Sequence, residues 1–467
     1  MAGSIFLVEE SGSKMPNPYS GGPDRSMIDL VGGDGGEINP AIYVDEDIYR
    51  RELEQVFGRS WLFLAHGSQI PETGDFVSTY MGEDPVLVVR QKDGSVVAFL
   101  NQCRHRGMRI CRTDCGKARS FTCSYHGWAY DISGRLVHVP LEQEAYHGEI
   151  DKDAWGPVRV PRIASFRNLI FGCWDEAAPD LETYIGDAAW YMDVMFDRSG
   201  AGSELISGVH KWVIPCNWKL AAEQFASDMY HAPYSHLSAV LASLPDDASP
   251  ADADWPQEGA QFRAPRFGHG TGFFASERGW EFNVNTMGRT IVDYLAGKYS
   301  DAAVQHLGEL RGRQITGQHM TIFPNFSFLP GINALRVWHP RGPQEMEVWS
   351  MILVDSDAPD EVKAAYRDRI TRMFGTSGIF EQDDGENWVE VQRVLRGHKT
   401  RQTSLNASMG KGHTEDRSEY PGIVSGMFSE EAARGFYQHW ARMMAGQSWE
   451  ELAQEPASAC GKPDSGS

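Results

Sequence analysis

At 467 residues the chain is longer than one typical domain, so two or three domains are expected. Its net charge of −21 disfavours nucleic acid and anionic membrane surfaces as partners and suits a small neutral substrate. The seven cysteines are an odd number and do not make a disulfide framework. The apolar run at residues 5–8 is too short for a signal sequence or a membrane span, so we expect a cytoplasmic protein.

The first 175 residues predict an N-terminal segment followed by a small all-β domain. Residues 1–59 form the segment, which we expect to pack on the domain formed by residues 176–467. In this segment Asp45 can cap a helix that ends at Gly58. Residues 60–175 contain strand-like runs at 85–91, 96–100 and 169–174, and Lys92-Asp93-Gly94 is a hairpin signal between the first two.

Residues 176–467 predict a larger α+β domain. A helix is expected at 217–231, with Pro215 before it and Pro233 after it. Strands are expected at 319–329, 334–339 and 346–354, and helices at 360–374, 386–396 and 429–445. The stretch 243–262 has the composition of a surface loop, and the tail from Pro456 to Ser467 that of a disordered segment.

Two short Cys/His pairs, Cys103-x-His105 and Cys123-x-x-His126, are the most informative motif of the all-β domain. Two thiolates and two imidazoles are the ligand set of a Rieske 2Fe–2S cluster, in which two His replace two Cys on one iron. Gly107 and Gly127 follow the pairs closely, and their missing Cβ atoms let backbone N–H groups approach the cluster sulfurs. The pairs therefore predict a Rieske cluster.

A structural zinc site is the alternative for these four residues. Zinc fingers place two Cys first and a His pair on a later helix, whereas this chain mixes Cys and His within each pair. The ligand order favours the Rieske cluster. High-potential respiratory Rieske proteins carry an extra Cys in each cluster loop, joined as a disulfide; the matching positions here are Met108 and Tyr125, so the loops resemble the low-potential, oxygenase-type branch. Cys111 and Cys115 lie nearby and are interpreted as small buried or free thiols.

A second candidate metal site contains Asp228, His231 and His236. Two His and one carboxylate form the facial triad that binds non-heme Fe(II) and leaves positions open for dioxygen. Five residues along an ideal helix separate two side chains by about 140°, so the helix has to stop between the two His, and Pro233 supplies an interruption. Asp228 precedes His231 by three residues and can accept the ring N–H opposite the metal.

The carboxylate ligand has to come from elsewhere in the chain. The segment 381–388 holds four candidates, namely Glu381, Asp383, Asp384 and Glu386. Side-chain chemistry alone does not choose among them, and an acidic helix start is an equally ordinary interpretation of the run.

Motifs along almost the whole chain resemble the large (α) subunit of aromatic-ring-hydroxylating Rieske dioxygenases, most like the biphenyl/toluene-type branch. The matching stretches are NQCRHRGMRIC, SFTCSYHGWAYD, KWVIPCNWK, QHMTIFP, WHPRGP and FEQDDGENWVE. One departure is the four-residue gap between His231 and His236, which is the naphthalene-type spacing. The resemblance implies an α+β fold, with an all-β Rieske domain before a catalytic domain of helix-grip (START-like) type.

The resemblance also implies residue roles. Cys103, His105, Cys123 and His126 would hold the cluster, and His231, His236 and Asp384 the mononuclear iron. Asp228 would bridge an iron-ligand His to a cluster His of a neighbouring subunit. The implied substrate pocket is predominantly apolar, without Arg or Lys, and suits a flat neutral arene. Its residues are Gln224, Phe225, Met229, Ala232, His319, Ile332, Phe374 and Phe380.

The implied reaction is cis-dihydroxylation of an aromatic hydrocarbon with O₂ and NADH. Because no strand–GxGxxG–helix unit is evident, NADH would be used through a separate reductase and a ferredoxin. A small β subunit would complete an α3β3 assembly. The alternatives are a pure electron carrier, which the second site disfavours, a Rieske monooxygenase, and a dioxygenase of a carboxylated arene such as phthalate.

Overall fold

We describe the protein from a computed structural model, which covers residues 25–33, 35–206, 208–244, 249, 258–276, 280 and 284–455. The predicted tail 456–467 lies outside these residues, as does most of the predicted loop 243–262. The part of that loop at 259–262 belongs to a strand, so the prediction is wrong there.

The N-terminal residues pack against the C-terminal half of the chain. Their helices are α1 (Arg25–Asp29), α2 (Ala41–Val44) and α3 (Glu46–Glu52), the last continued by a π-helical turn, Leu53–Phe57. The side chain of Asp45 accepts hydrogen bonds from the N–H groups of residues 47 and 48, so the predicted cap is confirmed. Strand β1 (Glu37–Ile38) pairs with a short strand at Leu405–Asn406.

The second region is built from three small antiparallel sheets. Their strands are β2 (Leu62–His66), β3 (Asp75–Met81), β4 (Asp84–Arg90), β5 (Val96–Leu100), β6 (Cys115–Lys117), β7 (Ser120–Thr122), β8 (Ala129–Asp131), β9 (Leu136–His138), β10 (Arg162–Phe166) and β11 (Leu169–Cys173), with a short helix α4 (Glu142–Tyr146). The sheet orders are β5-β4-β3-β6, β7-β8-β9 and β10-β11-β2. The predicted strands and the hairpin after β4 are confirmed.

The third region is centred on a ten-stranded antiparallel sheet. Its strands are β12 (Ser203–Leu205), β13 (His210–Ile214), β14 (Gly259–Arg263), β15 (Gly270–Ala275), β16 (Ile315–Ile322), β17 (Phe326–Leu329), β18 (Ala334–Pro340), β19 (Met346–Asp355), β21 (Thr414–Glu415) and β22 (Ile423–Gly426), where β20 is the short strand Leu405–Asn406. The order is β12-β19-β18-β17-β16-β15-β14-β22-β21, with β13 also on β19. An α+β chain with an all-β part before an antiparallel sheet was predicted, and the structure confirms it.

Helices surround this sheet. They are α5 (Leu181–Ile185), α6 (Ala188–Phe196), α7 (Trp218–Ser227), α8 (Ala232–Ser235), α9 (Leu237–Ser243), α10 (Val284–Met287), α11 (Arg289–Ala296), α12 (Lys298–Leu307), α13 (Asp360–Phe374), α14 (Ile379–Leu395), α15 (Glu431–Met444) and α16 (Trp449–Leu452). Among the described residues, no helix combines the length and apolar character that crossing a bilayer requires.

Three further predicted elements differ from the structure. The helix expected at 386–396 begins earlier, at Ile379, and ends at Leu395. The single strand expected at 319–329 is two strands, because the chain reverses at Phe323–Asn325, where Pro324 has no N–H for a ladder. The helix expected at 217–231 ends at Ser227, as discussed with the site below.

Candidate metal centres and substrate cavity

Two loops of equal geometry carry the Cys/His pairs. In the first, the Cys103 N–H donates to Met108 O (2.8 Å) and the Gly107 N–H donates to Cys103 O (2.9 Å). In the second, Cys123 N–H donates to the carbonyl of Trp128 (2.8 Å) and Gly127 N–H to Cys123 O (3.0 Å). Both glycines have a positive φ, +75° and +73°, which explains why glycine occupies these positions.

The two candidate Cys ligands are buried within the loop pair, whereas the two candidate His ligands lie nearer the surface. Cys103 and Cys123 are each 2 % exposed, whereas His126 is exposed and His105 half-buried. The two imidazole rings lie 4.4 Å apart, centre to centre. The Nδ1 atom of His105 is buried without a hydrogen-bond partner. A buried, unpaired nitrogen beside two buried thiols fits a bound cluster, and ligand order and geometry agree.

The environment of the thiols also suits a metal cluster. The hydroxyl of Tyr130 donates to Sγ of Cys103 over 3.3 Å, the kind of bond that tunes a cluster sulfur. Burial raises the pKa of the Cys123 thiol. The buried thiol therefore ionises readily only when a metal compensates its charge. Cys111 and Cys115 are free, as predicted; Cys115 is exposed and Cys111 half-buried.

The second candidate site lies where α7, α8 and α14 meet. His231 Nε2 lies 3.3 Å from His236 Nε2, and Asp384 Oδ1 lies 3.4 Å from each of these nitrogens. Asp384 Oδ1 is buried and has no hydrogen-bond donor. Two imidazole nitrogens and one carboxylate oxygen that converge in this way fit a bound cation, and three protein ligands leave positions open. The structure therefore brings together all three residues of the predicted triad.

The end of α7 places these histidines. Its last carbonyls are bonded by side chains of the sheet instead of the next helical turn: Ser227 O accepts from Gln261 Nε2 (2.5 Å) and Phe225 O from His319 Nδ1 (3.0 Å). The chain leaves the helix at Asp228, and His231 starts the single turn α8. The helix was predicted to stop between the two histidines at Pro233; it ends instead at Ser227, before both of them, and Pro233 lies inside α8.

Asp228 holds the backbone and the ring of His231. Its Oδ1 accepts the backbone N–H of His231 (3.0 Å), and its main-chain carbonyl lies 2.6 Å from the ring Nδ1. The carboxylate Oδ2 is farther from Nδ1, at 3.4 Å. The predicted acceptor of the ring N–H was this carboxylate; the nearer oxygen is the carbonyl of the same residue.

Charges around His231 shift its titration strongly. Burial lowers its pKa, but hydrogen bonds to Asp228 and the carboxylate of Asp384 outweigh burial and raise the pKa to about 9. The pKa of His236 falls to about 4, because burial exceeds the attraction of Asp384. The carboxylates of Asp228 and Asp384 thus make the surroundings of His231 favourable for a cation.

The structure separates the four candidate carboxylates of segment 381–388, which lie in the first half of α14. Glu381 is buried against Arg336, with Oε2 2.8 Å from a guanidinium nitrogen, and Glu386 is exposed. Asp383 Oδ2 lies 3.2 Å from Nδ1 of His236, on the ring edge that faces away from the other two triad residues. Asp384 alone reaches both histidines. The role of Asp383 was missed, because only the orientation of the His236 ring identifies it.

A cavity of about 170 Å³ opens beside the triad. Its wall contains every one of the predicted pocket residues, which are Gln224, Phe225, Met229, Ala232, His319, Ile332, Phe374 and Phe380. Further lining residues that the sequence did not single out include Val240, Phe274, Trp280 and Leu329. No described lining residue is Arg or Lys. We call this space the central cavity.

Gln224 connects the cavity to the triad. Its Nε2 lies 3.4 Å from Nε2 of His231, and its Oε1 accepts from Trp388 Nε1 over 2.7 Å. The indole thus fixes which end of the amide faces the metal ligands.

A Cys₂His₂ loop pair and an open two-histidine, one-carboxylate site on one chain define a Rieske protein with a second, mononuclear metal centre. Residues 60–163 match the family described as Rieske [2Fe-2S] domain, and residues 181–446 match Ring hydroxylating alpha subunit (catalytic domain). The chain belongs to the ring-hydroxylating α-subunit family, as its motifs predicted. Both iron cofactors follow from these two domains.

Named relatives cover nearly the whole chain. It is 54 % identical over 439 residues to the biphenyl 2,3-dioxygenase α subunit of Rhodococcus jostii, covering 93 % of this chain and 95 % of that one. It is 55 % identical over 432 residues to the chlorobenzene dioxygenase α subunit of a Cupriavidus species, covering 92 % and 95 %. A solved naphthalene 1,2-dioxygenase with phenanthrene bound superimposes with a TM-score of 0.83 at 34 % identity, covering 90 % and 94 %.

Proposed function

We propose that this chain is the terminal oxygenase α subunit of an enzyme that converts a neutral aromatic hydrocarbon, mono- or polycyclic, to its cis-dihydrodiol with O₂ and NADH. The observation that carries the proposal is the open triad of His231, His236 and Asp384 in the wall of an apolar cavity. A pure electron carrier has no use for such a site. The relatives named above, which are dioxygenases of biphenyl and chlorobenzene, support the same reaction class.

The proposed metal ligands divide between the two centres. Cys103, His105, Cys123 and His126 would hold the cluster, and His231, His236 and Asp384 the mononuclear iron. When bound, the cluster supplies single electrons and the iron activates dioxygen. The chain itself orients the ligands: Asp228 fixes His231, and Asp383 fixes the ring of His236.

The central cavity would bind and orient the arene. Phe374 and Phe380 stack with ring planes 8° apart and centroids at 5.1 Å, and Phe380 also lies edge-on to His236 at 4.9 Å. Flat apolar walls of this kind suit a planar hydrocarbon. Glu381, an acidic lining residue outside the triad, is paired with Arg336. Among the described lining residues there is no Arg or Lys to balance the charge of a carboxylated arene.

Two exposed surfaces support assembly with further copies of the chain. At the cluster, Tyr125 is 63 % exposed and its ring packs on that of His126. Beside Asp228, Tyr230 is 51 % exposed and packs on Tyr234, which is 73 % exposed. Exposed aromatic patches mark interaction sites. We propose that the cluster surface of one subunit docks at the Asp228 surface of the next, within an α3β3 assembly with a small β subunit.

Electron delivery would come from separate proteins of the cytoplasm. NADH would reduce a reductase, and a ferredoxin would carry electrons from it to the cluster. Asp228, whose side chain is 33 % exposed, would then link a cluster histidine of the neighbouring subunit to His231.

Product analysis tests the proposal. Purified α and β subunits, with reductase, ferredoxin and NADH, would be offered biphenyl, naphthalene, a larger polycyclic arene and phthalate under ¹⁸O₂. We expect cis-dihydrodiols that carry both labelled oxygen atoms from the neutral arenes. A product with one labelled atom would instead identify a monooxygenase, and turnover of phthalate alone would identify a dioxygenase of carboxylated arenes.

A further inference from the structure

Three side chains form a small apolar cluster that is separate from the main core. Met229, Phe274 and Met427 contact one another and are 3 %, 8 % and 4 % exposed. Met229 lies in the chain after α7, Phe274 in β15, and Met427 directly after β22. We call them the plug. Because two of its three members are methionines, the plug consists of flexible side chains that repack easily.

Each member of the plug lies over a glycine of the sheet. A Cβ atom built on Gly259 would lie 2.9 Å from Sδ of Met427, and one on Gly272 would lie 2.7 Å from Cγ of Met229. A Cβ atom on Gly317 would lie 2.7 Å from the ring of Phe274. These glycines have ordinary backbone angles, so their missing side chains serve to make room. The plug therefore lies flat on a bare stretch of sheet.

The plug stands between two spaces. Met229 and Phe274 line the central cavity, and Met427 lines a second, open pocket at the surface. The other residues of this outer pocket include Glu258, Glu415, Arg417 and Phe428. Met427 on the outer side and Met229 and Phe274 on the inner side separate the two spaces. Rotation of the two methionine side chains would open a way between them.

We propose that dioxygen reaches the mononuclear centre from the outer pocket, passing between the side chains of the plug, while the arene occupies the central cavity. This inference rests on the proposed function. Two co-substrates have to meet in one space of about 170 Å³, and an arene that fills it obstructs the way it came in. Dioxygen is small, neutral and apolar, and it crosses a layer of methionine side chains. The charged mouth with Glu258, Glu415 and Arg417 disfavours entry of the arene by the same route.

Variants at Met427 test the route, because this residue does not line the central cavity. Met427→Trp thickens the plug, and we expect kcat/KM for dioxygen to fall about threefold or more, with kcat/KM for the arene unchanged. Met427→Leu keeps the volume and serves as the matched control, with both constants near those of the wild type. Equal losses for both substrates in Met427→Trp, at unchanged thermal stability, would overturn the proposal.

Noble-gas binding gives a readout that does not depend on turnover. Xenon enters apolar cavities, so crystals of the whole enzyme under xenon pressure should show an atom between Met427 and Phe274, absent in Met427→Trp. Xenon in the central cavity alone would contradict the route through the plug. If the wild type forms no cis-diol from any arene, the proposed function fails, whereas the xenon sites still report on the route itself.

Discussion

Oδ2 of Asp383 lies 3.2 Å from Nδ1 of His236, on the far side of the imidazole from the triad. This contact fixes the tautomer in which Nε2 presents its lone pair to the metal. Asp383→Ala should therefore weaken Fe(II) binding at the mononuclear site about 10–100-fold, as losses of such partners do. The measurement is iron affinity by titration of protein stripped of mononuclear iron. Glu386→Ala, on an exposed position of the same helix, is the control and should bind iron normally.

Asp228→Ala should keep both metal centres and lose turnover. The ring N–H of His231 points at the main-chain carbonyl of residue 228, 2.6 Å away, and this acceptor survives the substitution. What disappears is the partly exposed carboxylate, together with the hydrogen bond that its Oδ1 accepts from the backbone N–H of His231. We expect normal iron content and a normal cluster spectrum, with the reduced cluster no longer reoxidised in a single turnover. Asp416→Ala, an exposed carboxylate elsewhere, should leave reoxidation intact; loss of iron in Asp228→Ala would contradict the assignment.

A fully buried ion pair ties the N-terminal segment to the catalytic domain. Lys219 Nζ lies 2.5 Å from Oε1 of Glu52, and both side chains are 0 % exposed. Lys219→Met leaves Glu52 buried without its cation and should cost about 3–5 kcal/mol in the free energy of unfolding. The double variant with Glu52→Gln should recover most of this loss. Arg372→Met, which breaks an exposed pair with Asp368, should cost less than about 1 kcal/mol. Denaturant unfolding measures all three.

Protonation of His269 should contribute to acid unfolding. Its Nδ1 accepts the N–H of Phe323 (3.0 Å) and its Nε2 donates to Tyr184 O (2.7 Å), which only the neutral ring can do. Burial lowers the pKa of His269 from 6.5 to about 4. The folded state thus binds this proton less readily than the unfolded chain, so stability is complete above pH 6.5 and declines as the pH falls towards 4.

Between pH 6.5 and 4, protonation of His269 should lower the free energy of unfolding by about 3 kcal/mol. His269→Gln keeps a donor and an acceptor but does not titrate, so its unfolding free energy should fall less between pH 6.5 and 4. The exposed His138→Gln is the control and should follow the wild type. An unchanged pH dependence in His269→Gln would show that this ring does not carry the effect.

Local sequence signals predicted the elements whose causes are local. The cap at Asp45, the hairpin after β4 and the two Cys/His loops depend on residues a few positions apart. The end of α7 does not, because Gln261 and His319 come from distant strands to bond its last carbonyls. The sequence pattern predicts that this helix extends to residue 231, with Pro233 ending it.

The choice of metal ligands also depends on contacts with distant parts of the chain. The four candidate carboxylates of segment 381–388 are chemically equivalent in the sequence, and the family motif was needed to select Asp384. In the structure, packing separates them: Glu381 forms an ion pair with Arg336, and Asp383 contacts the Nδ1 edge of His236, so Asp384 is left to face both histidines. Residues that act through a ligand, like Asp383 and Trp388, leave no spacing signal of their own.

The uneven burial of the Rieske loops has a consequence for the unassembled chain. Cys103 and Cys123 are enclosed, so the imidazole edge at His126 would be the conducting face of a cluster bound in these loops. In a lone subunit this face is open to solvent, where dissolved oxygen can take the stored electron without any product being formed. Covering it with a neighbour would therefore insulate the cluster as well as connect it, and isolated subunits should waste NADH as hydrogen peroxide or superoxide.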